Sequence, residues 1–325
     1  MVRVLVFWYC LIAFIQLGVA QPTDQQILQP FQWRNIGPAN QGGRIVDIEA
    51  VESDFTQVWL ATASGGVWHS DNAGTSWRSI FDSYSTASIG DIAIFQPNPE
   101  NIWIGSGEAN NRNSVSWGDG VFLSRNGGET FDNVGLKNTH HISRIVLHPT
   151  DPDVAFVGAM GHLWGYNDER GLYMTDDGGH NWKKLTRGLP DGNRAGCCDL
   201  LMHPSNPKIL YAAFYERLRL PWHFESGGSN GGIFKSTNGG RTWKKIMKGL
   251  PHGTTGRIGL AICRSRPEIL MAIIEAEQSN SLDTLGSGIY RSEDGGGFWS
   301  YVNTYNNRPF YYSQIRINPN DDQKV

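Results

Sequence analysis

The side chains able to do chemistry gather in a few stretches. Glu108, Arg112, Trp117 and Asp119 all fall within Gly105-Ser-Gly-Glu-Ala-Asn-Asn-Arg-Asn-Ser-Val-Ser-Trp-Gly-Asp119. His140 and His141 are adjacent, and His162 and Trp164 precede the charged run Asp168-Glu169-Arg170. Arg217, Arg219, Trp222 and His223 form another group, Glu275 and Glu277 a further one, and Arg308, Tyr311 and Tyr312 the last. Arginine beside tryptophan or tyrosine suits carboxylates, sugars and peptide backbones, because the planar guanidinium pairs with oxygen while the aromatic face stacks. Glycoside hydrolysis needs two carboxylates flanking a bond, or a tyrosine nucleophile in one variant. Glu108 and Asp119 are the candidates for that role. His140, His141, His162 and Glu108 are metal-ligating types, but adjacent histidines in a strand or turn point apart and no zinc-protease helix motif is present. No metal and no cofactor is expected. The glycine-rich stretches do not follow the phosphate-cradling pattern, and Gly-x-Ser-x-Gly is missing. Asp168, Glu169 and Arg170 read as a loop bonded to itself.

Composition constrains the scaffold that must position these groups. Glycine is 39 of 325 residues, well above the usual ~7%, and 12 tryptophans accompany it. Charged residues are only 18%, with a net charge of −3. That balance argues against a nucleic-acid partner, which calls for a basic surface. A chain rich in glycine and tryptophan and poor in charge reads as all-β with many tight turns. Residues 1–20 carry an export pattern: Arg3, an apolar run from Val4 to Leu17, then Gly18-Val19-Ala20 before Gln21. The expectation is a signal peptide over 1–20, a linker over 21–30, and an exported protein that is secreted, periplasmic or on the cell surface. The apolar run is shorter than the ~20 residues of a membrane span, so no membrane span is expected. Cys197, Cys198 and Cys263 remain after Cys10, too few for a disulfide framework. Buried free thiols are the preferred reading, with a Cys198–Cys263 contact as the alternative.

One pattern recurs five times. It runs Gly66-Val-Trp-His-Ser-Asp-Asn-Ala-Gly-Thr-Ser-Trp77, and returns at Gly120–Phe131, Gly171–Trp182, Gly232–Trp243 and Gly288–Trp299. The shared form is Gly-aliphatic-aromatic-x-Ser/Thr-x-Asp/Asn-x-Gly-x-x-Trp/Phe. A unit of this length holds four short strands, one blade of a β-propeller. Ile89–Pro97, Ile142–Pro149 and Cys198–Pro204 read as first strands ending in Pro-marked turns, and Ile102–Gly105, Val154–Gly158 and Ile209–Ala213 as second strands. The motif supplies the third strand, a hairpin and the start of the fourth. Asn72, Asn126, Asp177, Asn238 and Asp294 are expected to brace that hairpin with a side-chain oxygen. Asparagine at three of the five positions argues against calcium, whose loops concentrate carboxylates.

With these motifs the chain resembles the Asp-box propellers found in sialidases, sortilin-type receptors and photosystem assembly proteins, over residues 31–325. Trp33-Arg-Asn-Ile-Gly-Pro38, the Gly105–Asp119 stretch and Arg308-Pro-Phe-Tyr-Tyr312 look like the sortilin-like N-terminal region of large secreted bacterial proteins often labelled glycosyl hydrolases. Two departures separate it from known active sites of that architecture. Sialidases carry Arg-Ile-Pro, whereas Arg34 here is followed by Asn35-Ile36. Xyloglucan-active propellers carry a catalytic aspartate just before the Gly-Gly of the first blade, where this chain has Ala63. The resemblance thus implies an architecture more than a reaction.

Trp33 reads as part of a lone fourth strand, and Ser313–Pro319 as the first strand of a sixth unit. The expectation is five complete blades plus partial ones in an incomplete ring, continuing into further blades of the same polypeptide, since open blade edges are avoided in natural sheets. In a propeller the loops from strand two to three and from strand four to the next blade share one face, opposite the motif hairpins. Arg112, Trp117, His140, His141, His162, Trp164, Arg217, Arg219, Trp222, His223, Glu275, Arg308, Tyr311 and Tyr312 all map to those loops. Long loops gathered on one face of a repeat scaffold mark a binding face. The function expected is recognition of a peptide, protein or glycan there, with glycoside hydrolysis and an assembly scaffold as alternatives.

Overall fold

The computed structural model describes residues 43–112, 115–190, 192–277 and 285–325. The expected signal peptide, the linker and the strand around Trp33 lie outside them. The described chain forms five antiparallel sheets, each ordered by sequence. Blade one holds β1 (Ile45–Val51), β2 (Asp54–Thr62), β3 (Val67–Ser70) and β4 (Arg78–Ser79). Blade two holds β5 (Ile89–Ile94), β6 (Ile102–Ser106), β7 (Val121–Ser124) and β8 (Asp132–Gly135). Blade three follows with β9 (Ile142–Leu147), β10 (Ala155–Ala159), β11 (Gly171–Thr175) and β12 (Lys183–Leu185). In blade four β13 (Ala195–His203) pairs with the long β14 (Asn206–Leu220), whose far end turns back as β15 (His223–Ser226). β16 (Gly232–Ser236) and β17 (Lys244–Ile246) complete it. Blade five is β18 (Thr255–Ile262), β19 (Leu270–Ala276), β20 (Gly288–Ser292) and β21 (Ser300–Asn303). This is the architecture of a β-propeller.

The repeated motif owes its form to one hydrogen-bonding scheme. In every copy the Ser or Thr oxygen accepts the N–H of the glycine four residues on, at 2.8 Å for Ser70 and Gly74 and 2.9 Å for Ser236 and Gly240. The Asp or Asn oxygen accepts the N–H four residues further along, as in Asn126 with Thr130 at 3.0 Å and Asp177 with Asn181 at 2.9 Å. The glycine has a positive φ, 83° at Gly74 and 80° at Gly240, a conformation that a side chain strains. The residue before it also has a positive φ, and there the first copy departs from the other four by placing Ala73 at 57°. Its N–H bonds back to the β1–β2 side of the same blade, at Thr56 O. The same contact recurs from Gly127, Gly178, Gly239 and Gly295 to Glu100, Asp153, Lys208 and Glu268. Each motif thus staples its blade's two hairpins together.

Between blades, apolar side chains interdigitate, and on the inner strands one polar hub adds to them. Arg144 of β9 lies 3.0 Å from Asp91 of β5, 3.2 Å from Asp199 of β13 and 3.9 Å from Asp47 of β1. Asp91 also accepts the Ile145 N–H at 2.6 Å, and Asp199 the Leu260 N–H of β18 at 2.8 Å. The innermost strands of all five blades are therefore bonded to one cluster.

Two expectations are corrected here. Ser313–Pro319 does not form a strand of a sheet. It follows a one-turn helix, α1 (Pro309–Tyr312), and runs along β18, burying Ile315 and Ile317 against Cys263, Met271 and Ile273. Cys198 and Cys263 do not face each other: the Cys198 thiol lies against the Ala213 and Ile258 carbonyls, and Cys263 against Ser265 and Asn318. All three cysteines are buried and free.

Candidate functional site

The loops expected to form a face do converge, and the structure sorts their side chains by depth. At the base lies the turn after β6. Glu108 is fully buried, and Arg44 grips its carboxylate with two hydrogen bonds of 3.2 and 2.8 Å. Both Glu108 oxygens thus tie the blade-two loop to the stretch before β1, an anchoring contact. Asp119 is half-buried and accepts Ser85 Oγ at 2.6 Å, with the Lys137 ammonium 3.9 Å away. The close approach of neighbouring loops requires glycine here: a Cβ on Gly107 would lie 1.8 Å from the His140 carbonyl oxygen.

His140 and His141 part company, as adjacent residues in a turn must. His140 takes a φ of 58° and stacks its ring on His162 at 3.9 Å between centroids, with Trp117 on its other side at 6.2 Å. Burial, then His162, lowers the His140 pKa. His162 Nε2 lies 2.9 Å from the Asn138 carbonyl, which fixes its ring. His141 instead points inward and is buried, and its pKa falls well below the usual range through burial and then the nearby Arg217.

Arg217 is also buried, contrary to its expected place on the ligand face. It donates to the Ala109 carbonyl at 3.3 Å, so it braces blade four against the blade-two loop. Arg170 performs the same service between blades three and four. Its guanidinium donates to the carbonyls of Arg194, Arg217, Gly165 and His162 at 2.5, 2.6, 3.0 and 3.3 Å. The Asp168–Arg170 run does hold its loop, but through main-chain carbonyls: Asp168 O accepts the Lys184 ammonium and Glu169 O the Tyr173 hydroxyl. Glu275, half-buried, accepts the Arg257 N–H at 2.9 Å and the Ser226 hydroxyl at 2.8 Å.

Above this base stand the aromatic groups. Trp117 is 68% exposed, Trp164 51% and Trp222 82%. Trp164 forms a parallel bridge with Arg219, so the blade-three loop runs alongside the β14–β15 hairpin whose tip carries Trp222 and His223. Arg219 lies over Phe224, which meets Phe310 edge-on at 5.3 Å. Arg308 packs over Tyr311 and Tyr312 at 6.0 and 5.8 Å. Tyr311 reaches the blade-two base: burial, then Glu108, raises its hydroxyl pKa. Arg112 is half-buried at the same place. Sequence reasoning missed Arg44 and Arg257, the latter holding the Tyr311 carbonyl at 3.2 Å. Neither carries a motif, since each acts across the ring on a residue far away in sequence. Among the described residues no group of His, Cys, Asp and Glu converges as a metal shell, and no helix is long and apolar enough to cross a membrane.

A family model described as Sortilin, neurotensin receptor 3 matches residues 119–283, just over half of the chain. The chain belongs to the Sortilin-Vps10 family. It is also similar to a xyloglucanase of a Paenibacillus species, 23% identical over 302 residues that make up 84% of this chain and 22% of that enzyme. A xyloglucanase of Acetivibrio thermocellus is 22% identical over 256 residues, 69% of this chain and 28% of the relative. This Sortilin-Vps10 chain therefore spans about a quarter of the length of the curated relatives it matches. Among solved structures an ancestral GH74 enzyme superposes with a TM-score of 0.63 at 20% identity, covering 86% of this chain and 34% of that one. The GH74 xyloglucanase of Xanthomonas campestris gives 0.55 at 14% identity, covering 90% and 51%. These likenesses support the propeller fold and a relationship to glycoside hydrolases.

Proposed function

We propose that this Sortilin-Vps10 propeller is exported and recognises a polymeric ligand on its long-loop face, a glycan in the first place. The observation that carries the reading is an exposed tryptophan on the second-to-third-strand connection of each of three successive blades. Trp117 sits on the His140–His162 stack, Trp164 on the loop that Arg170 holds, and Trp222 at the tip of a hairpin. Aromatic faces fixed in place before binding lose little entropy on contact, which is what stacking against a sugar ring or a peptide side chain requires. Arg219 bridges to Trp164, and Arg308 packs over Tyr311 and Tyr312. The similarity to xyloglucanases favours a glycan over a peptide or protein as the ligand. It also supports hydrolysis as a second reading, but Glu108 is held by Arg44 and Asp119 by Ser85 and Lys137, an arrangement better suited to binding than to proton transfer.

The test is affinity electrophoresis of the full reading frame in gels containing xyloglucan or an unrelated polysaccharide, with mass spectrometry of soluble oligosaccharides. Retardation that falls about tenfold in Trp117→Ala, Trp164→Ala or Trp222→Ala, with no shortened products, is the expected outcome. Products that disappear in Asp119→Asn would replace the binding reading with the hydrolytic one. Unchanged mobility in all gels, together with binding to a peptide pool, would move the ligand class to peptides.

A further inference from the structure

The central axis has a second end. Opposite the loop face, the turns between first and second strands surround a cavity of about 670 Å³, within the ~300–1,000 Å³ typical of small-molecule sites. Its walls are the last apolar residues of the inner strands, Ile94, Val146, Met202 and Ile262, together with Ile317 of the C-terminal segment. None of the expected ligand residues lies there.

The polar groups around this cavity are unequal in what they have left to offer. Arg144, at its depth, is saturated by Asp47, Asp91 and Asp199. Arg264 and Glu52 are paired with each other. Arg316 is different: it is exposed, donates to its own neighbour's carbonyl, Ile315 O, at 2.9 Å, and forms no ion pair among the described residues, its charge reaching only Glu49 at longer range. His148 and His203 accept a turn N–H on Nδ1, from Thr150 at 3.4 Å and Ser205 at 3.2 Å. A neutral imidazole that accepts on Nδ1 carries its proton on Nε2, so each ring lining the cavity keeps one N–H donor. Glu49 is the remaining acid, and burial with the charge of Asp47 pushes its carboxyl up to about 8.

We infer that this cavity binds a small amphipathic monocarboxylate, an apolar body ending in one carboxylate. The tail packs on the Ile94, Val146, Met202, Ile262 and Ile317 walls. The carboxylate takes Arg316 as its charged partner and the His148 and His203 Nε2–H groups as further donors. An ammonium head would find Glu52 engaged by Arg264, and the one other acid, Glu49, already facing the Arg144, Arg316 and Arg264 guanidiniums. A neutral head would leave the Arg316 charge unanswered.

Three probes with the same tail test this: octanoate, octanol and octylammonium, titrated calorimetrically into the full chain. Octanoate is expected to bind saturably, one per chain, at least tenfold more tightly than the other two. Arg316→Gln should weaken octanoate at least tenfold and leave octanol unchanged, because that side chain is exposed and its loss keeps the fold. Met202→Trp should narrow the cavity and weaken octanoate, and Trp222→Ala on the loop face should have no effect. The inference is overturned if octanol or octylammonium matches octanoate, if Arg316→Gln binds octanoate normally, or if no saturable heat appears. Octanoate affinity unchanged by Met202→Trp in a folded variant would equally overturn it. The failure of glycan binding at the loop face would leave each of these outcomes intact.

Discussion

Replacing Arg144 by methionine tests the logic of the inner strands. The side chain is 17% exposed, and the Asp91, Asp199 and Asp47 side chains around it are 3%, 9% and 9% exposed. Removing one partner of a buried ion pair costs about 3–5 kcal/mol, because the remaining charge is left uncompensated. Here up to three carboxylates are left, so the upper part of that range applies. The loss depends on pH in a defined direction. Burial already raises the Asp91 carboxyl well above its usual range, against the pull of Arg144, and raises Glu49 to about 8. A carboxyl whose folded pKa is raised contributes stability that is complete below its unfolded pKa and is lost as pH rises through the folded value. Wild-type stability should therefore decline as pH rises from about 4.5, the ordinary value, and the Glu49 contribution should be fully lost by about 8, its folded value. Without Arg144 the raised values move further up, so the deficit is largest in alkali and smaller in acid, where protons replace the guanidinium. Urea unfolding followed by tryptophan fluorescence, at mildly acidic, neutral and alkaline pH, measures this. Adding Asp91→Asn should recover part of the loss. A deficit under about 1 kcal/mol, the scale of an exposed pair, or one equal at every pH, would refute the reasoning.

Further outcomes follow from single contacts. Ser236→Ala removes the acceptor of the Gly240 N–H and should cost about 1–2 kcal/mol in denaturant unfolding. Ala73→Gly relieves a left-handed backbone that the other four motif copies give to glycine, and should raise stability by about 1 kcal/mol in the same assay. Arg170→Lys loses the planar fork that reaches four carbonyls, so amide exchange should quicken in residues 161–170 and 217–228 while the blade strands stay protected. Burial raises the Cys197 thiol well above its usual range and the Cys198 thiol to about 12. A thiol reagent at neutral pH should accordingly label both only after unfolding, and intact mass should not change on reduction.

The repeat was fully legible because its chemistry is local. Ser236, Asn238 and Gly240 find one another within a few residues, so spacing alone specifies the hairpin and, by its recurrence, the blade and the propeller. The alternation of loops also assigned Trp117, Trp164 and Trp222 to connections between second and third strands, where all three are exposed, because strand order in a blade fixes which loops share an end. Depth was not legible. Glu108, His141 and Arg217 were assigned to the same face as the exposed tryptophans, yet blade packing turns them inward, where Glu108 meets Arg44 and Arg217 donates to the Ala109 carbonyl. Those partners lie tens to hundreds of residues away, and no spacing rule links them. The Arg144 hub and the cavity at the opposite end of the axis are products of blade packing in the same way. A sequence states which groups are available and how neighbouring ones pair. Only the assembled blades decide which charges meet, because burial and long-range pairing set their energies, and both are properties of the packed blades.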